Sequence, residues 1–519
     1  MKFNTLFNVF IVCFLFLTVG CSSQKTINEF VQIEGGIVSG EYLSNSEITV
    51  FKGVPFAAPP VGDLRWKAPR PVEKWNGILG CKIFSASPMQ RTPEPFMMWT
   101  QEFIAPKEPL SEDCLYLNIW TPAKLAGENH PVFVYIYGGG FNSGSGSVPV
   151  YDGEEMAKKG LVFLIINYRV GNLGFLAHHE LTAESENNTS GNYGLLDQVE
   201  ALKWVNKNIK AFGGDPENVT IAGQSAGAFS VNYLVASPLT KGLIHRAIAE
   251  SGGAIMQNGR KTLTLEQAEE TGVNWAKSQN ASIKELREKP ATEIFNTGGP
   301  SSPIIDGYLV PDQLNNIFTE GKQNDIPLIL GWNKDEGFGG ASKTKENFIS
   351  QIKLQFNEKS EEFLTILSLS IEDEVKSAQL TLSAIQSFGL QMYKWMLLQN
   401  SSGNSKVFMY RFDKRLPFAE GMNDHGAFHT GEVPYAYNNL KMSPRPWEDV
   451  DYELADSMSD FWVNFAKTSD PNGEGLPVWD ACTPFKSKAI IFNSLIESKD
   501  MPDTDILNFL DSYYSSLIQ

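Results

Sequence analysis

The sequence has little of what marks a nucleic-acid-binding, disordered or membrane-embedded protein. Its 43 Lys and Arg residues are outnumbered by 60 Asp and Glu residues, which gives a formal net charge of −17. An acidic chain without a basic patch repels phosphate backbones, so the composition argues against nucleic-acid binding. Hydrophobic residues make up 42% of the chain and charged residues 20%, which is typical of a globular protein. Intrinsic disorder, collagen-like repeats and a polytopic membrane protein are therefore excluded.

Cysteine is also scarce, with 5 residues in a chain of 519. Cys13 lies in an N-terminal apolar segment and Cys21 directly follows that segment, which leaves Cys81, Cys114 and Cys482. An odd number of remaining cysteines allows at most one disulfide within the chain. Their spacing fits no zinc pattern, so we predict no metal site.

The one long apolar stretch runs from Leu6 to Val19, after the single charge of Lys2. It is shorter than the roughly 20 residues that a transmembrane helix needs. The pattern predicts a lipoprotein-type signal peptide over residues 1–20, because Thr18–Cys21 resembles a bacterial lipobox with Thr in place of the usual Leu. We therefore expect lipidation at Cys21 and an exported protein, either anchored to a bacterial membrane or periplasmic or extracellular. Contact with a membrane is expected only through this lipid.

The remaining chain, residues 21–519, contains no Pro/Ser-rich linker and no fixed-period repeat, so we predict a single domain. Apolar, β-branched runs alternate with helical patterns such as Asp197–Phe212 and Leu454–Ala466. Near-continuous hydrophobicity is typical of strands that are buried on both faces. The sequence thus predicts an α/β fold with a mostly parallel central sheet flanked by helices. The predicted strands are Pro131–Tyr137, Leu161–Tyr168, Val219–Ala222, Ile326–Leu330, Val407–Tyr410 and Ile490–Phe492.

A candidate nucleophile follows one of these strands. Residues 219–227 form a short apolar strand that ends in G-x-S-x-G and leads into a helical sequence. This order is typical of a nucleophile elbow, in which a sharp turn exposes the hydroxyl of Ser225. Gly223 and Gly227 carry no Cβ, so the strand and the helix can approach each other closely.

A serine hydroxyl needs a base to accept its proton, and in this architecture the triad follows the order Ser, acid, His. The sequence has six histidines: His130, His178, His179, His245, His425 and His429. Three precede Ser225 and are excluded by the order. His245 lies in a helix-like run too close to Ser225 for a strand and an acid to intervene. His425 and His429 remain as candidates.

The acid must lie between the serine and these histidines. Strand Ile326–Leu330 leads into a polar run that contains Asp335 and Glu336, and both are placed at the same edge of the sheet as the elbow. Asp306 is a weaker third candidate. Neighbouring side chains point in different directions, so we expect only one of Asp335 and Glu336 to face the histidine.

An oxyanion hole is predicted from the glycine run after strand Pro131–Tyr137. The run Tyr137–Phe141 matches the HGGG-type loop of esterases and lipases, whose backbone N–H groups bind the developing oxyanion. Ala226 would add the N–H of the residue after the nucleophile.

From about Gly36 to Phe492, the chain resembles the type-B carboxylesterases, which include the cholinesterases and the bacterial para-nitrobenzyl-type esterases, on the α/β-hydrolase fold. The resemblance is specific because several long motifs occur in the right order. These motifs are Phe51–Ala57, Pro59–Gly62 with Arg65, Ser111–Trp120, Asn167–Gly171 and Phe212–Thr220.

The resemblance implies a serine carboxylic-ester hydrolase that needs no cofactor. By this likeness the nucleophile is Ser225, the acid is Glu336 and the base is His429. The other residues that it assigns to the site are the oxyanion-hole residues Gly139, Gly140 and Ala226 and the supporting serine Ser251. It also implies two structural ion pairs, Arg65 with Glu112 and Arg169 with Asp197.

The chain departs from the family pattern at two places. The family pairs the cysteine equivalent to Cys114 with an upstream cysteine, but Phe84–Gln90 contains none and Cys81 is displaced, so a Cys81–Cys114 bond remains open. Cholinesterases carry Glu before the nucleophile, whereas Gln224 is neutral, which argues against a choline ester. Trp99 is expected to be a packed loop residue.

Two alternative functions remain at this stage. One is a catalytically inactive, cholinesterase-like adhesion or binding protein, although the triad positions are filled. The other is a lipase that acts on long-chain esters. For an active enzyme, the expected partner is a small-molecule or carbohydrate ester.

Overall fold

The computed structural model describes residue 27 and residues 30–255, 261–337, 343–369, 372–418, 423–484 and 486–518. The predicted signal peptide and Cys21 lie outside these residues. The described strands are β1 (Val31–Gln32), β2 (Ile37–Ser39), β3 (Glu41–Leu43), β4 (Ile48–Pro55), β5 (Ile78–Gly80), β6 (Ser87–Pro88), β7 (Leu110–Ser111), β8 (Tyr116–Thr121), β9 (His130–Ile136), β10 (Val162–Ile166), β11 (Gly214–Gln224), β12 (Arg246–Glu250), β13 (Leu328–Asn333), β14 (Val407–Phe412), β15 (Lys488–Phe492) and β16 (Glu497–Asp500).

The described α-helices lie between and after these strands. They are α1 (Glu154–Lys158), α2 (Gly171–Phe175), α3 (His179–Ala183), α4 (Tyr193–Asn208), α5 (Ala226–Ala236), α6 (Leu265–Ser278), α7 (Ile283–Glu288), α8 (Ala291–Asn296), α9 (Leu314–Thr319), α10 (Lys345–Phe356), α11 (Ser360–Leu367), α12 (Glu372–Ala384), α13 (Leu390–Ser402), α14 (Val433–Ala436), α15 (Asp449–Thr468) and α16 (Thr504–Ile518). Among these described helices, none combines the length and apolar character needed to cross a membrane.

An 11-stranded sheet forms the centre, in the order β16-β15-β14-β13-β12-β11-β9-β10-β8-β4-β3. The seven strands from β10 to β15 in this order are mutually parallel, while β8, β4, β3 and β16 are antiparallel at the two sides. All five residues of β10 are buried. Because successive strand residues point to opposite faces, elements must cover both faces of the sheet there. The predicted mostly parallel α/β-hydrolase sheet is confirmed.

The structure corrects one local interpretation. His245 was expected in a helix-like run, but it directly precedes strand β12, and its N–H donates to Val219 O at 2.9 Å. The alternation in Arg246–Glu250 is too short for periodicity to separate a strand from a helix. Pairing with β11 and β13 on either side makes this segment a strand.

Two ion pairs, one buried and one largely buried, connect segments that lie outside the strands of the sheet. Arg169 and Asp197 lie 2.7 Å apart with side chains 4% and 0% exposed, and Arg65 and Glu112 lie 2.6 Å apart. Both pairs match the structural ion pairs that the sequence implied. Buried charges are tolerated only when they are paired, so each pair fixes its two segments relative to each other.

Candidate active site

Ser225 lies in a strained turn between β11 and α5. Its backbone has φ 56° and ψ −123°, a conformation that non-glycine residues rarely adopt. The turn is held by the Ser225 N–H, which donates to Glu250 O at 2.9 Å. A Cβ on Gly227 would lie 1.9 Å from Ile136 O, so only glycine permits this approach of helix to strand. Backbone strain of this kind accumulates at functional sites.

The glycine loop after β9 packs directly against this turn. A Cβ on Gly138 would lie 2.9 Å from the Cβ of Ser225, and Gly139 and Gly140 have φ values of 114° and 60°. Neither the Gly139 nor the Gly140 N–H donates to another described residue. Ala226 is the first residue of α5, and the first N–H groups of a helix have no partner within it. Three N–H donors are thus available beside the serine.

Among the candidate acids and bases, Glu336 and His429 form a contact. Nδ1 of His429 lies 2.8 Å from Oε2 of Glu336, and the two side chains are 3% and 0% exposed. Asp335 instead accepts the Ala427 N–H at 2.9 Å, so this carboxylate anchors the loop that carries the histidine. Asp306 accepts backbone N–H groups within its own loop.

The environment of this pair keeps the imidazole neutral. Burial lowers the pKa of His429 to about 4, opposed by the charge of Glu432. Burial raises the pKa of Glu336 well above its usual range, opposed by the side chain of Ser251 and by the Asn333 N–H, which donates to Oε1 at 2.9 Å. Ser251 follows β12 and has φ 56°. At neutral pH His429 is therefore in the form that can accept a proton.

Asn333 and Glu432, two buried residues that lie next to this pair, were not identified from the sequence. The Asn333 side chain donates to Phe428 O at 2.7 Å and also to Glu432, so it joins the end of β13 to the loop of His429. Glu432 is fully buried, and its pKa is raised by burial and by the charge of Glu336. Buried polar residues of this kind follow no helix or strand period, so hydrophobic periodicity does not reveal them. The one available signal was that Asn333 is the last residue of a strand.

Three side chains surround the imidazole. Phe388 stacks on it with ring centroids 4.4 Å apart, and Trp99 meets it edge to face at 6.3 Å. Nε2 of Gln224 lies 3.4 Å from Nδ1 and 3.3 Å from Nε2 of His429. Trp99 also donates to the Thr430 hydroxyl at 2.9 Å. It is therefore partly packed in its loop, as expected, but it also lines the cavity described next.

A cavity of about 880 Å³ opens at Ser225, His429 and the glycine loop. Most of its wall is apolar. Among the described residues of the wall, Arg91 carries a cationic side chain and Glu94 carries a carboxylate. The apolar and aromatic lining residues are Pro93, Phe96, Trp99, Phe103, Ile104, Ala105, Val148, Tyr151 and Phe295. A concave, mostly apolar site with a few converging polar groups is typical of small-molecule binding.

One cluster within the described parts of the chain has three potential metal ligands, His178, His179 and Glu180. None of the three lines the cavity. Nδ1 of His178 accepts the Glu180 N–H at 3.2 Å, which leaves the ring proton on Nε2 in the neutral imidazole. The donor set therefore fits a metal ion poorly.

The three cysteines of the described chain are free and buried. Cys81 and Cys114 form no bond with each other, which settles the pairing that the sequence left open. Burial raises the pKa of the Cys81 thiol to about 12, so this thiol is unreactive at neutral pH.

Comparisons with known proteins give one consistent result. A sequence model of the carboxylesterase family matches residues 27–504. A fumonisin B1 esterase of Sphingopyxis macrogoltabida is 34% identical over 85% of this chain and 82% of its own length. A para-nitrobenzyl esterase of Bacillus subtilis is 32% identical over 92% of this chain and 97% of its own, and a liver carboxylesterase of Sus scrofa is 34% identical over 88% of each. All three relatives are named as esterases.

Proposed function

The chain belongs to the carboxylesterase family and is a carboxylic-ester hydrolase of the serine-hydrolase type, and from this premise we propose that Ser225 is its nucleophile, His429 its general base and Glu336 the acid that orients the base. The observation that carries the proposal is the buried 2.8 Å contact between Nδ1 of His429 and Glu336, on the wall that also holds Ser225.

The reaction follows from the protonation state of the imidazole. A neutral His429 that donates its Nδ1–H to Glu336 has an unprotonated Nε2, which can take the hydroxyl proton of Ser225. The serine oxygen then adds to the ester carbonyl, the alcohol leaves with the proton from His429, and an acyl-enzyme remains. Water repeats the sequence on the acyl-enzyme and releases the acid. No cofactor takes part in these steps.

The N–H groups of Gly139, Gly140 and Ala226 form the oxyanion hole in this proposal. Their support is the location of the glycine loop beside the elbow and the lack of other described partners for the two glycine N–H groups. Donors that are fixed before the reaction stabilise the tetrahedral intermediate without reorganisation. Ser251 acts as a positioning residue, because its side chain stabilises the charged form of Glu336.

The test measures hydrolysis of 4-nitrophenyl acetate together with covalent labelling by a fluorophosphonate probe. Ser225→Ala should lose both the label and at least about 10⁴-fold of kcat, and His429→Ala and Glu336→Gln should lose a similar or smaller factor of kcat. His425→Ala is the matched control, since this imidazole does not contact Glu336. Wild-type protein that takes no label would instead support an inactive binding protein.

Membership in this family implies small-molecule ester substrates. We propose a small-molecule or carbohydrate ester, because the 880 Å³ cavity has the size of a small-molecule site. Turnover of 4-nitrophenyl esters from acetate to palmitate tests this. A maximum at the longest chains would favour a lipase instead.

We also propose that residues 1–20 are removed during export, that Cys21 is lipidated, and that residues 21–519 fold as one domain. Support for one domain comes from a single main hydrophobic core that includes both Ile27 and Tyr514. Mass spectrometry of the mature N-terminus tests the first two points. An unmodified Cys21, or a peptide that retains residues 1–20, would contradict them.

A further inference from the structure

Arg91 is an exposed cation on the wall of the active-site cavity. It makes no hydrogen bond, ion pair or ring contact with any residue that the structure describes. The other charged residue of the wall, Glu94, lies 3.4 Å from Nζ of Lys107, which balances its charge. Since His429 is neutral, Arg91 is the uncompensated charge of the described cavity wall.

The backbone of Arg91 is held close to the reacting centre by its neighbour. The buried side chain of Gln90 donates to Gly144 O at 2.8 Å and accepts the Gly144 N–H at 3.0 Å. A Cβ on Gly144 would lie 2.7 Å from Gly138 O, and Gly138 itself packs against Ser225. The segment that carries Arg91 is therefore tied, through Gln90, to the same glycine loop that borders the nucleophile.

Arg91 is a cation in an acidic chain. The formal net charge of −17 means that the average field of the protein disfavours anions. A guanidinium presents a planar set of donors that matches a carboxylate in two parallel hydrogen bonds. Much of the rest of the wall is apolar, as with Phe96, Trp99, Phe103 and Ile104. Such a wall fits an ester with an apolar body and one carboxylate at the cavity mouth.

We propose that Arg91 is a specificity-determining residue that binds a free carboxylate of the substrate, so that the enzyme favours carboxylate-bearing esters over neutral esters of the same size. The inference rests on the proposed function, because it concerns the same cavity. The hydrolysis itself is unchanged: water and the ester give an alcohol and an acid, and the second carboxylate is not altered. The carboxylate can belong to the acyl part or to the alcohol part, and the experiment distinguishes these two sources.

The experiment compares kcat/KM for two pairs of esters that differ only in a carboxylate. Mono-4-nitrophenyl glutarate and 4-nitrophenyl valerate test the acyl part, and the acetates of 4-hydroxybenzoate and 4-methylphenol test the alcohol part. In Arg91→Gln the ratio of the charged to the neutral ester should fall by about 5- to 10-fold in one of the pairs. Arg91→Lys should retain part of the preference, and 0.5 M NaCl should reduce it in the wild type but not in Arg91→Gln.

Arg70→Gln is the matched control. It removes the same charge from an exposed arginine that does not line the cavity and lies 3.0 Å from Glu186. Titration with the fluorophosphonate counts folded active sites in every variant, and the ratio of two substrates needs no assumption about absolute activity. An equal fall of the ratio in Arg70→Gln would show a general field effect and overturn the proposal.

The proposal also fails if Arg91→Gln leaves both ratios within twofold of the wild type, or if the wild type hydrolyses neither charged ester. Failure of the proposed catalytic residues is distinguishable, because it would appear as hydrolysis of the neutral esters by Ser225→Ala. A fall in the acyl pair alone places the carboxylate on the acid, and a fall in the alcohol pair alone places it on the alcohol.

Discussion

Replacement of Gln224 by Glu should raise the pKa of the catalytic imidazole. The Gln224 side chain is 1% exposed, and its Nε2 lies 3.3 and 3.4 Å from the two ring nitrogens of His429. A carboxylate in the same place stabilises the charged imidazolium and not the neutral ring. The direction is therefore upward from the present value of about 4, which burial causes.

The size of the shift follows from two opposing effects. Two opposite charges about 4 Å apart at an effective dielectric constant near 20 attract each other by about 4 kcal/mol, or about 3 pKa units, which is an upper bound. Burial of the new carboxylate removes part of this, as burial already raises the pKa of Glu336. We expect a net rise of about 1–2 units, within the range for neighbouring opposite charges.

The assay is the pH profile of kcat/KM, which reports the free enzyme. In the wild type the rate should fall as the pH decreases through about 4, because protonated His429 cannot accept the serine proton. In Gln224→Glu this acid limb should lie at about pH 5–6. Gln224→Met is the control for the loss of the amide, and it should keep the limb near its wild-type position. The reasoning is refuted if the limb of Gln224→Glu stays in place or moves to lower pH.

Three further substitutions test the packing around the site by urea unfolding. Asn333→Ala should lower the free energy of unfolding by about 1–3 kcal/mol, because it leaves the buried Glu432 carboxylate without its amide donor. Gly227→Ala should cost about 1–3 kcal/mol or more and also reduce activity, because the new Cβ would lie 1.9 Å from Ile136 O. Asp197→Asn should cost about 3–5 kcal/mol, since it leaves a buried arginine without its counter-charge.

Controls for these three variants come from open or exposed sites. Gly80→Ala meets no atom within 4 Å and should change stability little. Lys107→Gln breaks the exposed pair with Glu94 and should cost less than about 1 kcal/mol. Costs as large as those of Gly227→Ala or Asp197→Asn in these controls would contradict the arguments from close contact and burial. An Asn333→Ala variant as stable as the wild type would show that Glu432 does not need this donor.

The sequence by itself determined the features that are local along the chain. The strand, turn and helix around Ser225 are consecutive in the chain, over residues 214–236, and their glycines and apolar runs can be recognised directly in the sequence. The family, the α/β-hydrolase sheet and the esterase class were predicted from such motifs and are confirmed. The order rule also reduced the bases to His425 and His429 and narrowed the acids to a few carboxylates.

The edge strands β3 and β16 were not predicted, and the run that leads into β12 was interpreted as helix-like. Strand β12 has five residues, and β3 and β16 have three and four. Segments of this length carry too few residues for a period of 2 or 3.6 to emerge. Their conformation depends on hydrogen bonds to neighbouring strands, which local sequence does not contain.

The family resemblance assigned Glu336 and His429 to the site, but only the tertiary structure shows that these residues, 93 positions apart, are in contact. It also shows that Asp335 accepts a backbone N–H instead. It also placed Arg91 on the cavity wall and Gln224 against the imidazole. Each of these contacts depends on which way a loop side chain points after its strand has paired with its neighbours. The physical reason is that the local pattern sets which residues are buried in an element, while the register of a sheet and the packing of its loops decide which polar groups meet.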